Sequence, residues 1–107
     1  MKLLTQEIKK KLPALYSQEQ AGLDAVVQVK FFTPWSNWTW YATEFDPEEG
    51  LFFGLVEGFE KELGYFSLAE LESVSGSFGL KIERDLHFRP VTLRSLMEPA
   101  VLSDCVE

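Results

Sequence analysis

The sequence predicts an α+β fold, a mostly antiparallel sheet of about four or five strands with two or three short helices packed on it. Two observations lead to this prediction. Runs of alternating apolar and polar residues are separated by turn-forming Pro, Asp, Asn and Gly residues, which is typical of neighbouring antiparallel strands. Short segments with apolar residues three or four positions apart flank these runs, and a Ser or Thr suited to an N-cap precedes each of them.

The first predicted element is a helix over residues 5–12. Thr5 can cap its first turn, and Pro13 ends it because proline cannot continue a helix. The apolar face of this helix consists of Leu4, Ile8 and Leu12. We expect residues 17–24, which are mainly polar, to form a loop.

Three strands are predicted next, over residues 25–33, 38–45 and 51–58. Residues 33–37 and 46–50 contain the proline, asparagine and glycine of tight turns, so the strands form an antiparallel meander. Alternation along the first strand places three apolar side chains on one face, namely Val27, Val29 and Phe31.

Residues 59–64 are acidic and are predicted to form a connection before a short fourth strand at residues 65–66. Ser67 and Glu70 have the spacing of a capping box, which predicts a helix over residues 68–74.

The remainder of the chain is predicted to form edge strands and a final helix. Alternating apolar residues favour one or two edge strands within residues 80–89. Thr92 can cap a short helix over residues 93–97. We therefore predict a single domain over residues 1–99 and a flexible tail over residues 100–107.

Length and composition exclude several classes of protein. A chain of 107 residues with 46% hydrophobic residues has enough apolar material for one core, and its single cysteine excludes a disulfide scaffold. No apolar run approaches the roughly 18 residues that a membrane helix needs, and no secretion signal is visible. We expect a cytoplasmic protein without a membrane partner.

Negative charge is concentrated in one part of the sequence. The net charge is −7, and nine of the 17 acidic residues lie between residues 44 and 72, where Lys61 is the only basic residue. Such a field repels nucleic-acid phosphates over most of the surface and attracts basic partners.

The chain resembles the bacterial domain of unknown function 2958 family over about residues 1–93. The resemblance rests on segments such as VKFFTPW at 29–35, NWTWY at 37–41 and ELGYFS at 62–67, with shorter matches that include IERD at 82–85. It implies an association with bacterial plasmids and other mobile elements, and it implies no activity and no site residues.

Two groups of residues are candidates for binding a protein partner. Carboxylates can steer a basic partner or imitate a row of phosphates, as in DNA-mimic and antirestriction proteins, and exposed aromatic rings can anchor an interface. The acidic candidates are Glu48, Glu49, Glu57, Glu60 and Glu62. The aromatic candidates are Trp35, Trp38, Trp40 and Tyr41. The leading hypothesis is a non-enzymatic interaction or accessory domain of mobile elements.

A nucleic-acid-binding module is the first alternative. Aromatic rings also stack on bases, and lysines contact phosphates. The residues in question are Trp35, Trp38, Tyr41, Lys30 and the three lysines at 9–11.

A small hydrolase is the second alternative. His87 is the only histidine and would be the base most easily used near neutral pH. If residues 83–89 were extended, Glu83, Asp85, His87 and Arg89 would share one face. Because no nucleophile accompanies this polar cluster, we assign no catalytic residue, and we expect no metal and no other cofactor. The sequence leaves the oligomeric state open.

Overall fold

The computed structural model describes residues 2–97, and within them the α+β prediction is confirmed. The strands are β1 (Val26–Val27), β2 (Val29–Phe32), β3 (Thr39–Asp46), β4 (Leu51–Glu57), β5 (Lys61–Ser67), β6 (Glu83–Arg84) and β7 (Val91–Thr92). The helices are α1 (Gln6–Lys11), α2 (Leu68–Ser73) and α3 (Leu93–Met97), with 3-10 helices at Glu19–Asp24 and Ser77–Gly79. The predicted boundary at residue 99 and the tail at 100–107 lie outside the described residues.

Five strands form an antiparallel sheet in the order β5-β4-β3-β2-β6, and β1 pairs with β7 in a second sheet of two strands. The two central hairpins, β2–β3 and β3–β4, follow the predicted meander. β3 therefore lies at the centre of the larger sheet, and β5 and β6 form its two edges.

The single strand predicted over residues 25–33 is wrong, because it is divided at Gln28 into two strands with different partners. β1 leaves the larger sheet to pair with β7, and β2 stays beside β3. Val27 consequently packs in a different apolar cluster from Val29, so the predicted common face does not extend to Val27. The alternation of apolar and polar residues is uninterrupted at Gln28, so the sequence pattern does not reveal where the strand is divided.

Apolar residues are buried on both faces of the larger sheet. The front face carries Phe31 and Phe52, which pack with buried leucines of the N-terminal segment and of α2. The back face carries Leu55, which packs with Leu93 of α3. The aromatic richness of neighbouring strands is explained by this covering of both faces.

The connection predicted over residues 59–64 is also wrong, because β5 begins at Lys61 and pairs with β4 along its whole length. The strand was not predicted because its charged and glycine residues interrupt the alternating apolar pattern. Their presence fits an edge strand, where charges oppose pairing with another chain.

The edge strand predicted within residues 80–89 has only two residues, Glu83 and Arg84. Alternation ends there because a carboxylate oxygen of Asp85 accepts the backbone N–H of His87 at 2.9 Å, which turns the chain. Residues 17–24, predicted as a loop, contain the first 3-10 helix.

The predicted helix caps are confirmed. The hydroxyl oxygens of Thr5, Ser67 and Thr92 accept the backbone N–H three residues further on, at 3.2–3.3 Å. The helices start where the sequence predicts because each cap satisfies an N–H that lacks a partner inside the helix.

Gly54 on β4 provides a test of the central packing. A Cβ atom there would lie 1.8 Å from the backbone oxygen of Tyr41, whereas one at Gly64, which faces Gly54 from β5, would meet nothing within 4 Å. We expect Gly54→Ala to lower the free energy of unfolding by about 1–3 kcal/mol. Gly64→Ala should change it by less than about 0.5 kcal/mol. Equal losses in urea denaturation of the two variants would contradict this packing.

Candidate functional site

One end of the front face carries the exposed ring of Phe59 and the half-buried rings of Trp38 and Trp40 beside carboxylates. We name this region the aromatic–acidic surface, and it consists of Trp38, Trp40, Val56, Phe59, Glu60 and Glu62. The start of β3, the end of β4 and the β4–β5 hairpin supply these residues because antiparallel pairing brings their ends together.

The aromatic rings of this surface support one another. The rings of Trp38 and Trp40 stack with centroids 6.0 Å apart, and Phe59 meets Trp38 edge-on at 5.5 Å. Trp38 lies over Gly58, where a Cβ atom would come within 2.3 Å of the indole ring. Phe59 at the tip of the hairpin is 95% exposed, so little of its apolar surface is covered.

Carboxylates give the surface its charge. Glu60 and Glu62 line an open groove of about 500 Å³ together with Trp38, Val56 and Phe59. Lys61 lies between them in sequence, but its ammonium group donates to the backbone oxygen of Leu96 at 2.8 Å. The groove is therefore apolar along its floor and acidic along its border.

The other predicted acidic residues lie elsewhere. Glu48 and Glu49 occupy the β3–β4 turn, which the seven residues of β4 separate from the aromatic–acidic surface by about 20 Å. Glu57 shares the back face with Leu55. The five acidic candidates therefore form three separate groups rather than one row.

The other predicted aromatic residues also separate. Trp35 packs against Gly76, where a Cβ atom would come within 2.3 Å of the indole ring. Tyr41 is buried on the back face, 6.1 Å from the ring of Phe88 and 5.8 Å from the ammonium of Lys30. Burial raises the pKa of Tyr41, and the negative charge of Glu57 adds to this shift.

The predicted polar cluster does not share one face. Asp85 lies 3.7 Å from the ammonium of Lys30, and its carboxylate holds the backbone of His87 rather than the imidazole. His87 and Arg89 are exposed, and Glu83 lies in β6. Within residues 2–97, no three His, Cys, Asp or Glu side chains form a group that could hold a metal ion.

Sequence reasoning missed two exposed phenylalanines and one buried carboxylate. Phe59 and Phe78 are almost fully exposed, and each has a glycine neighbour that indicates a turn. Glu44 is only 3% exposed, and its two carboxylate oxygens accept the backbone N–H groups of Tyr16 at 2.9 Å and Gln18 at 2.7 Å. Nothing in the acidic segment distinguishes Glu44 from the solvated carboxylates around it.

The fold and the surfaces define an α+β domain whose antiparallel sheet carries a concave region on each face. The sequence model of the family described as protein of unknown function (DUF2958) matches residues 3–101, and the chain belongs to this family. No curated protein and no solved structure was found to match the chain. None of the described helices has the length and apolar character needed to span a membrane.

Removal of the buried carboxylate should destabilise the domain. Glu44→Ala leaves the N–H groups of Tyr16 and Gln18 without their acceptor, so we expect a loss of about 2–4 kcal/mol in the free energy of unfolding. Glu49→Ala in the exposed turn is the matched control, with an expected change below about 0.5 kcal/mol. Urea denaturation measures both, and similar midpoints for the two variants would refute the anchoring role of Glu44.

Proposed function

We propose that this domain is a non-enzymatic binding module whose aromatic–acidic surface recognises a protein segment with basic and apolar side chains. The observation that carries the proposal is Phe59, a 95% exposed ring at a hairpin tip with Trp38 edge-on to it and Glu60 next in sequence. We further propose that the module acts in mobile elements, and this part of the proposal rests on the resemblance alone.

Desolvation and charge both favour binding at the aromatic–acidic surface. An exposed aromatic ring that already has a supporting neighbour loses little conformational freedom on binding and can bury a large apolar area. Carboxylates at the border, Glu60 and Glu62, attract a positively charged segment and accelerate encounter. The groove therefore suits a partner with an apolar side chain flanked by Lys or Arg.

The DNA-mimic form of this hypothesis receives less support. Imitation of phosphates needs carboxylates in a row on one surface, whereas the acidic candidates occupy both faces and both ends of the sheet. The nucleic-acid alternative needs Tyr41 and Lys30 available beside the tryptophans. Tyr41 is buried, and Lys30 pairs with Asp85.

The experiment compares matched variants in affinity capture from a lysate of the source organism, treated with nuclease. We expect Phe59→Ala to weaken retention of a protein partner by about 30-fold, the loss typical of an interface hot spot. Reversal of Glu60 and Glu62 to Lys should reduce capture, and capture by the wild type should fall as salt rises.

The control carries the same charge reversal at the other end of the sheet, at Glu48 and Glu49. This variant should retain the partner as the wild type does. Capture that disappears after nuclease treatment would instead favour the nucleic-acid alternative, and capture unaffected by Phe59→Ala would refute the proposal.

A further inference from the structure

A second concave region lies on the back face of the sheet, between the segment 16–23 and strands β3, β4 and β5. This cavity of about 340 Å³ has aromatic and aliphatic walls that include Tyr16, Phe53, Leu63 and Tyr65. Its volume is at the lower end of the range for small-molecule sites.

A β-bulge places two polar side chains in this cavity. The register between β3 and β4 shifts between Ala42 and Glu44, so Thr43 is an extra residue in β3. Thr43 and Glu44 are consecutive, yet both line the cavity. The hydroxyl of Thr43 donates to the backbone oxygen of Phe53 at 3.1 Å, which fixes its orientation.

Among the described residues, Glu44 is a buried carboxylate that forms no ion pair. Its oxygens accept two backbone N–H groups, which support the charge, but within residues 2–97 no Lys or Arg side chain forms an ion pair with it. A buried carboxylate is costly unless it is paired, and each of its oxygens can accept a further hydrogen bond. The Glu44 carboxylate is therefore suited to accept a hydrogen bond from a positively charged donor in the cavity.

The walls of the cavity also favour a cation. The rings of Tyr16 and Tyr65 meet edge-on with centroids 6.4 Å apart, and Phe53 meets Tyr65 at 5.1 Å. Partial burial raises the pKa of Tyr65, and interactions with Tyr16 and with the charges of Glu19 and Glu44 add to the shift. The carboxylates of Glu19 and Glu44 line the same cavity and attract a cation, and aromatic faces bind cations directly.

We propose that this cavity binds a small organic cation, an ammonium or guanidinium group attached to an apolar body. The N–H groups of the ligand donate to the carboxylate of Glu44, and the apolar body packs against Phe53, Leu63 and the tyrosine rings. This site is on the opposite face from the aromatic–acidic surface and does not depend on the proposed function.

The test is an NMR titration of the ¹⁵N-labelled full chain with 2-phenylethylammonium, with neutral 2-phenylethanol and anionic phenylacetate as matched probes. We expect the ammonium to bind at least about tenfold more tightly than the alcohol, because a charge-assisted hydrogen bond is stronger than a neutral one. Phenylacetate should not bind. The amides of Tyr16, Gln18 and Leu63 should shift.

Because we expect replacement of Glu44 to destabilise the fold, the binding test uses instead a variant that fills the cavity. Leu63 is 43% exposed on an edge strand, so Leu63→Trp should fold and should abolish the ammonium-induced shifts. Phe59→Ala should leave them unchanged, which separates this site from the proposed protein-binding surface. Equal affinity for ammonium and alcohol, absence of shifts at millimolar ammonium, or unchanged binding by Leu63→Trp would each overturn the proposal.

Discussion

The extra residue in β3 determines how both faces of the sheet are used. Before the bulge, Ala42 faces the front and Tyr41 the back; after it, Phe45 faces the front, where it packs 4.6 Å from Phe52. If β3 were regular through Thr43, with no bulge, strict alternation would turn Phe45 away from that core. The bulge therefore preserves the front core and at the same time directs Glu44 towards the segment that covers the back face.

The elements that could be predicted from the sequence are those set by local chemistry. Turn residues located the central hairpins, and the hydroxyls of Thr5, Ser67 and Thr92 located the starts of helices. The division at Gln28 could not be predicted, since the pairing of β1 with β7 joins residues 64–66 positions apart in the sequence. β5 was not predicted because its residues are typical of a solvent-exposed edge strand. Whether a strand lies at an edge depends on the order of all strands in the sheet, which a local pattern does not show.

The candidate site residues also divide into those that local sequence patterns could bring together and those that depend on distant contacts. Trp38, Trp40, Glu60 and Glu62 meet because hairpin register brings their strands together. Counting acidic residues along the sequence could not show that Glu48 and Glu49 lie far from these four residues. Such a count does not reveal which end of a hairpin a residue occupies. Burial of Glu44 depends on a contact with residues 16–18, some 26–28 positions earlier in the chain, and no local pattern encodes such a contact.

Backbone conformation at Tyr16 has a consequence for its side chain. Tyr16 and Phe78 are the two non-glycine residues with positive φ in the described chain, at 70° and 61°, and both rings are exposed. A left-handed residue other than glycine costs roughly 1–2 kcal/mol, which glycine would avoid. The peptide group of Tyr16 needs only its N–H to reach Glu44, and glycine would supply that equally well. The backbone conformation at this position favours glycine, yet the residue is tyrosine. The role of Tyr16 in the backbone therefore does not account for its aromatic ring.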